Sequence, residues 1–186
     1  MATVEQKPAL ITAEEFERRP DADAVEELVR GRIVMSPLPN RRHGFVCAQV
    51  AYLLGRFLED HPLGRVVGND SAIIVGRNPD TVRGADAAYY SFERLPRDAD
   101  NSRYGPEIPE LVFEVLSPSD RWKNAMVKVG EYLDAGVLCV VVLDPEEKTA
   151  HVFGAEAEPT RLGPDEILRF DAILPGFEVV VGRFFD

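Results

Sequence analysis

Two apolar runs, Leu111 to Leu116 and Val137 to Leu143, bracket a stretch of helical periodicity, and this order constrains the fold more than any other feature of the chain. The first run lies between Pro109 and Pro118, a length and setting that favour a central strand over a helix. The second is unbroken and β-branched, as in a strand buried on both faces. Between them, Ser117-Pro118-Ser119-Asp120 supplies caps and a proline for a helix running to about Ala135, with Ala125, Met126, Val129, Tyr132 and Leu133 on its buried side. Gly136 stops it. Such a β-α-β unit requires a sheet with a helix packed on its face.

Upstream, Thr12 and Glu15 make a capping box for a short helix that ends before Pro20. Val25 to Val29 and Arg32 to Ser36 read as a hairpin turning on Arg30-Gly31. Val46, Val50, Leu53, Leu54, Phe57 and Leu58 mark one face of a long helix between His43 and Asp60. Arg65 to Val67 and Ala72 to Val75 follow as strands, then a polar loop from Gly76 to Gly84 and a strand from Ala85 to Tyr90 with Asp86 near its start. Glu93 to Ile108 is a long surface loop, and Thr149 to Phe153, Ile167 to Phe170 and Phe177 to Val181 complete the strands. The expected fold is α/β (α+β), a mixed central sheet flanked by helices. With 186 residues and 45% hydrophobic content, the chain should form a single domain over residues 11–186 behind a flexible arm of residues 1–10.

The formal net charge of −11 argues against a protein that coats nucleic acid, because phosphate contacts come largely from Lys and Arg. It leaves room for a nuclease, since acids gathered at a metal site add negative charge. Cys47 and Cys139 lie in apolar surroundings with no CxxC spacing, and no cleavable signal or long apolar span is present, which together point to the cytoplasm.

Glu114 is a charge inside an apolar strand. Burying it unpaired costs several kcal/mol, so it needs a cation, hydrogen bonds, a proton or a metal. Asp86 lies near another strand, and Lys128 and Tyr132 sit one turn apart on the following helix. Two carboxylates projecting from neighbouring strands can hold Mg²⁺ or Mn²⁺, and a nearby lysine can balance charge on a transferred phosphoryl group. Tyr132 can turn its hydroxyl toward the site. The structural alternatives are plain: Asp86 as a turn residue, Lys128 paired with Glu131 or Asn124, Tyr132 as core packing. Glu27 is either a third metal-site acid or the partner of Arg30 or Arg32. Arg41, Arg42 and His43 start the long helix and can face a phosphate backbone, although a histidine there is often only a cap. His61 and His151 are read as structural, and Ser117 lacks the partners of a nucleophile.

Over nearly its whole length the chain resembles the Uma2-like restriction endonuclease family (DUF820), a branch of the PD-(D/E)xK nuclease superfamily. The matching pieces are Glu27-Leu-Val-Arg-Gly31, Pro37-Leu-Pro-Asn-Arg-Arg-His43, Gly84-Ala-Asp86, Ile108-Pro-Glu-Leu-Val-Phe-Glu-Val-Leu-Ser-Pro118, Lys128-Val-Gly-Glu-Tyr132, Gly136-Val137, Leu143-Asp-Pro145 and Leu174-Pro-Gly176. The resemblance implies a metal-dependent DNA endonuclease using Mg²⁺ or Mn²⁺, with Asp86 and Glu114 as ligands, Lys128 as catalytic lysine, and DNA as substrate. Ala85 stands where the motif has proline. Leu116 stands where its lysine would follow Glu114, and the resemblance assigns that role to Lys128. A rival of another class is a non-catalytic, dimeric interaction module on the same fold, with apolar residues at Phe184-Phe185 exposed to support a homodimer.

Overall fold

The computed structural model describes residues 9–20, 24–117 and 122–186. Helix α1 (Ala13–Glu17) opens with the expected capping box: Thr12 accepts from the Glu15 amide and Glu15 accepts from the Thr12 amide. Strands β1 (Val25–Val29) and β2 (Arg32–Ser36) form the hairpin, with Arg30 (φ 50°) and Gly31 (φ 73°) in the left-handed region that a tight two-residue turn demands. Helix α2 (Arg41–Asp60) starts when Asn40 accepts from the His43 amide at 3.0 Å, which sets the direction in which its first turn leaves the cap.

Two expected strands between residues 65 and 75 are one element, β3 (Gly64–Gly76), interrupted by a register shift between Gly68 and Ser71 where Asn69 and Asp70 adopt positive φ. The polar loop expected from Gly76 to Gly84 is shorter, because β4 (Thr81–Ser91) begins at Thr81. Thr81 and Arg83 hid that strand from pattern reading; both are buried with polar partners. Asp86 therefore lies in mid-strand.

Strand β5 (Leu111–Val115) pairs parallel with β6 (Cys139–Asp144), and α3 (Trp122–Ala135) crosses between them. Gly136, at φ 104°, ends α3: its amide bonds the Leu133 carbonyl at 3.0 Å while the Val137 amide bonds that of Tyr132 at 3.0 Å. The α3 caps expected at Pro118, Ser119 and Asp120 lie outside the described residues, as does most of the expected N-terminal arm. Antiparallel β7 (Thr149–Gly154) and β8 (Ala157–Leu162) complete an eight-stranded mixed sheet of order β2-β1-β4-β5-β6-β7-β8, with β3 against β4. Pattern reading misses β8, an exposed edge strand containing Pro159. Strands β9 (Ile167–Arg169) and β10 (Glu178–Val180) form a separate pair.

The sheet separates two larger cores, beside a smaller cluster of Ala13, Phe16, Leu28 and Val82. Val46, Val50 and Leu54 of α2 pack with Tyr89, Phe113, Val141 and Leu143 on one face, and each such burial contributes about 1.5–3 kcal/mol. Val129 and Tyr132 of α3 cover Val112, Val140 and Val142 on the other. Met126, expected on the buried side of α3, is exposed. Phe184, expected at the surface, is fully buried against Phe113, and Phe185 packs on the same core, so these residues offer no apolar patch for a homodimer. Among the described residues no helix is long and apolar enough to cross a membrane.

Candidate active site

The site forms where the sheet opens. Strand β3 runs along one edge of β4, while β1 and β5 share the other: β1 meets it at Leu28 opposite Val82, and β5 from Phe113 opposite Ala87. Between those contacts, from Arg83 to Asp86, backbone groups find side chains instead of a neighbouring strand. Glu27 Oε1 accepts from the Gly84 amide at 3.1 Å, and Asp86 Oδ2 accepts from the Val115 amide at 2.6 Å. Two carboxylates thus replace ladder hydrogen bonds, which draws Glu27 and Asp86 to one fork in the sheet.

Glu114 alternates with Phe113 and Val115, so it faces α3 with Val112. Its Oε2 lies 3.0 Å from Lys128 Nζ, and its Oε1 accepts from the Tyr132 hydroxyl at 2.7 Å. Burial raises the Glu114 pKa most; Lys128 opposes this and Asp86 adds to it, leaving the carboxyl pushed up to about 7. Lys128 Nζ also lies 3.1 Å from Glu27 Oε1. Burial works against the ammonium, but Glu114 and Glu27 outweigh it and hold the pKa above the ordinary lysine value. Glu27 in turn receives Arg83 at 2.7 Å, and Arg83 reaches Glu131 at 2.6 Å. Burial raises the Glu27 pKa, yet Lys128 and Arg83 bring it below the usual value.

Neither sequence-level pairing for Lys128 or Glu27 occurs: Glu131 is taken by Arg83, and Glu27 is held by Arg83 and Lys128. Tyr132 is both core and site, its ring wholly buried and its hydroxyl on Glu114. His43 Nε2 lies 3.3 Å from Asp86 Oδ1, and its Nδ1 lies 3.4 Å from Cys47 Sγ one turn along α2. Arg42 is exposed on the same first turn, outside the cleft lining. His61 and His151 sit apart from the cleft, stacked on Phe57 and edge-on to Trp122. Other buried acids have structural partners: Glu110 bonds the Ser91 amide at 2.9 Å, and Asp80 the Ala13 amide at 2.8 Å.

A cleft of about 110 Å³ collects Glu27, His43, Asp70, Asp86, Glu114 and Lys128. Sequence reasoning missed Asp70, which the β3 irregularity carries to the rim. A Cβ on Gly84 would meet Asp70 at 3.0 Å, so glycine is what lets the two strands approach there. Burial, then Asp86, raises the Asp70 pKa. Arg83 was missed too, concealed in what read as a loop; the one available signal was its place just before Gly84-Ala85-Asp86.

The mixed eight-stranded sheet with its flanking helices is a fold already seen in a solved structure. A solved structure described as a "putative nuclease belonging to DUF820", from Anabaena variabilis ATCC 29413, matches with a TM-score of 0.79 and 19% identity over 94% of this chain and 97% of that one. The chain belongs to the Uma2 family, whose sequence model, described as "Putative restriction endonuclease", matches residues 13–182. No curated protein matches it.

Proposed function

We propose that this protein is a divalent-metal-dependent DNA endonuclease, with Asp86 and Glu114 as ligands and Lys128 as the charge-balancing cation. The observation that carries this reading is the meeting of those three side chains in one cleft from β4, β5 and α3. The donors suit Mg²⁺ or Mn²⁺: they are carboxylate oxygens, they outnumber the cations beside them, and Glu114 is held at a raised pKa that a divalent cation would relieve. When bound, the ion would polarise the scissile phosphate and acidify a water.

The chain's own groups supply the rest. Tyr132 and the Val115 amide orient Glu114 and Asp86, so that neither carboxylate must reorganise as the reaction proceeds. Lys128, anchored by two carboxylates, offsets negative charge as water oxygen bonds to phosphorus and the P–O bond to the leaving sugar breaks. Glu27 holds Lys128 and, through Arg83, ties β1 to α3, a third acid whose first task is positioning. Arg41 and Arg42, exposed at the head of α2 beside His43, are suited to flanking phosphates despite the acidic chain. Unpaired Cys47 and Cys139 suit a reducing compartment such as the cytoplasm.

The test is incubation of supercoiled plasmid and single-stranded DNA with the protein and Mg²⁺ or Mn²⁺. Cleavage that disappears in Glu114→Ala and Lys128→Ala is expected. Cleavage indifferent to both substitutions overturns the assignment, and calorimetry with no Asp86- or Glu114-dependent Mn²⁺ binding favours the non-catalytic module.

A further inference from the structure

We propose that His43, Cys47 and Asp86 form a second cation site, suited to a thiophilic ion such as Zn²⁺, which shares Asp86 with the cleft and blocks it when filled. One ligand atom from each residue lies within 4.8 Å of the other two. His43 and Cys47 are four residues apart on α2, so they project from one helix face toward Asp86 on β4. Ligand atoms around a tetrahedral zinc are separated by about 3.5 Å. His43 presents Nε2 to Asp86 at 3.3 Å and Nδ1 to Cys47 at 3.4 Å; only one of these nitrogens can bind the ion, so one edge of the ligand triangle is already near that spacing and the others lie within 4.8 Å.

The donor types choose the ion. Nitrogen, sulfur and oxygen together suit Zn²⁺ and disfavour Mg²⁺, whose ligands are oxygens. Binding releases the Cys47 thiol proton to solvent and leaves a thiolate on the metal. The Val115 amide holds the second oxygen of Asp86, which fixes that ligand from behind. A groove of about 460 Å³, lined by His43, Cys47, Asp70 and Asp86, opens alongside and gives the ion an entrance and room for a water as fourth ligand. This groove and the cleft meet at Asp86. With Oδ2 held by the Val115 amide, an ion bound to Oδ1 beside His43 and Cys47 occupies the oxygen that Asp86 would offer to an ion shared with Glu114.

The inhibitory consequence rests on the nuclease reading, but the binding does not, and two measurements keep them apart. In the first, Co²⁺ replaces Zn²⁺ as a spectroscopic probe and is titrated into the full chain without Mg²⁺. A sulfur-to-cobalt charge-transfer band is expected, retained in Cys139→Ser and Glu114→Gln, lost in Cys47→Ser, bleached by Zn²⁺, and shifted to more than tenfold higher Co²⁺ in His43→Ala. Circular dichroism checks that each variant is folded. Absence of the band, or its persistence in folded Cys47→Ser, overturns the site. In the second, Zn²⁺ is titrated into the Mg²⁺-supported DNA cleavage reaction, each variant against its own uninhibited rate. More than tenfold weaker inhibition of Cys47→Ser is expected, and equal inhibition overturns the coupling. A Cys47-dependent band in a protein that cuts no DNA would sink the nuclease reading and leave the site standing.

Discussion

Lys128 Nζ lies 3.0 Å from Glu114 Oε2 and 3.1 Å from Glu27 Oε1, one ammonium joining a strand of the β-α-β unit to the first hairpin. Its removal leaves two buried carboxylates facing each other. Lys128→Met should therefore cost about 3 kcal/mol at pH 8, and less at pH 5, where Glu114 accepts a proton. Urea unfolding at the two pH values reads this, and an equal loss at both would contradict it.

The pH dependence of the unsubstituted protein has a defined sign. The native pKa of Glu114, about 7, is above its ordinary value of 4.5, so its contribution is fully present below about 4.5 and lost as pH rises through about 7. Relative to Glu114→Gln, whose amide cannot ionise, the unsubstituted protein should lose stability between pH 5 and pH 8. Millimolar Mg²⁺ should restore more of it at pH 8 than at pH 5, and none in the variant. Parallel stability–pH curves for the two proteins would remove Glu114 as the titrating group.

Arg83 is buried between Glu27 and Glu131 at 2.7 and 2.6 Å, and no single-point cation spans the same two contacts. Arg83→Met should destabilise by about 3 kcal/mol because it leaves buried Glu27 with Lys128 as its one remaining cation and Glu131 without a partner. Arg83→Lys should recover only part of this. Denaturation midpoints of the two variants decide it: full recovery by lysine would mean that charge alone matters.

Phe184 is wholly buried on Phe113, so Phe184→Ala should lower stability by about 3–5 kcal/mol and leave the oligomeric state unchanged. Thermal unfolding and sedimentation velocity report the two effects. A shift in sedimentation without loss of stability would return this residue to an interface.

Local signals were readable wherever they were strong. The capping box at Thr12 and Glu15, the Arg30-Gly31 turn, the apolar face of α2 and the stop at Gly136 each depend on residues within a few positions of one another. Legibility failed where polar side chains were buried by distant partners. Thr81 and Arg83 concealed the start of β4, and Asn69 and Asp70 made one long strand look like two. Pro159 and exposed polar residues concealed the edge strand β8.

The same division runs through the site. Glu114 is conspicuous in the sequence because an ionised group in an apolar run must be compensated, and Lys128 follows at a spacing that a helix beside the strand can use. The compensation itself is a tertiary fact. That Glu27 shares Lys128, that Arg83 bridges β1 to α3 and that Asp86 replaces a ladder bond on Val115 follow from β1 and β5 sharing one edge of β4, while the β3 irregularity and the packing of α2 bring Asp70 and Cys47 to the same carboxylate. Periodicity and capping are set by neighbours along the chain, and so the sequence by itself determined the elements whose apolar patterns and caps are local. Strand order is set by which buried surfaces and unmet hydrogen bonds satisfy one another across long separations, and only the tertiary structure decided which charges would meet.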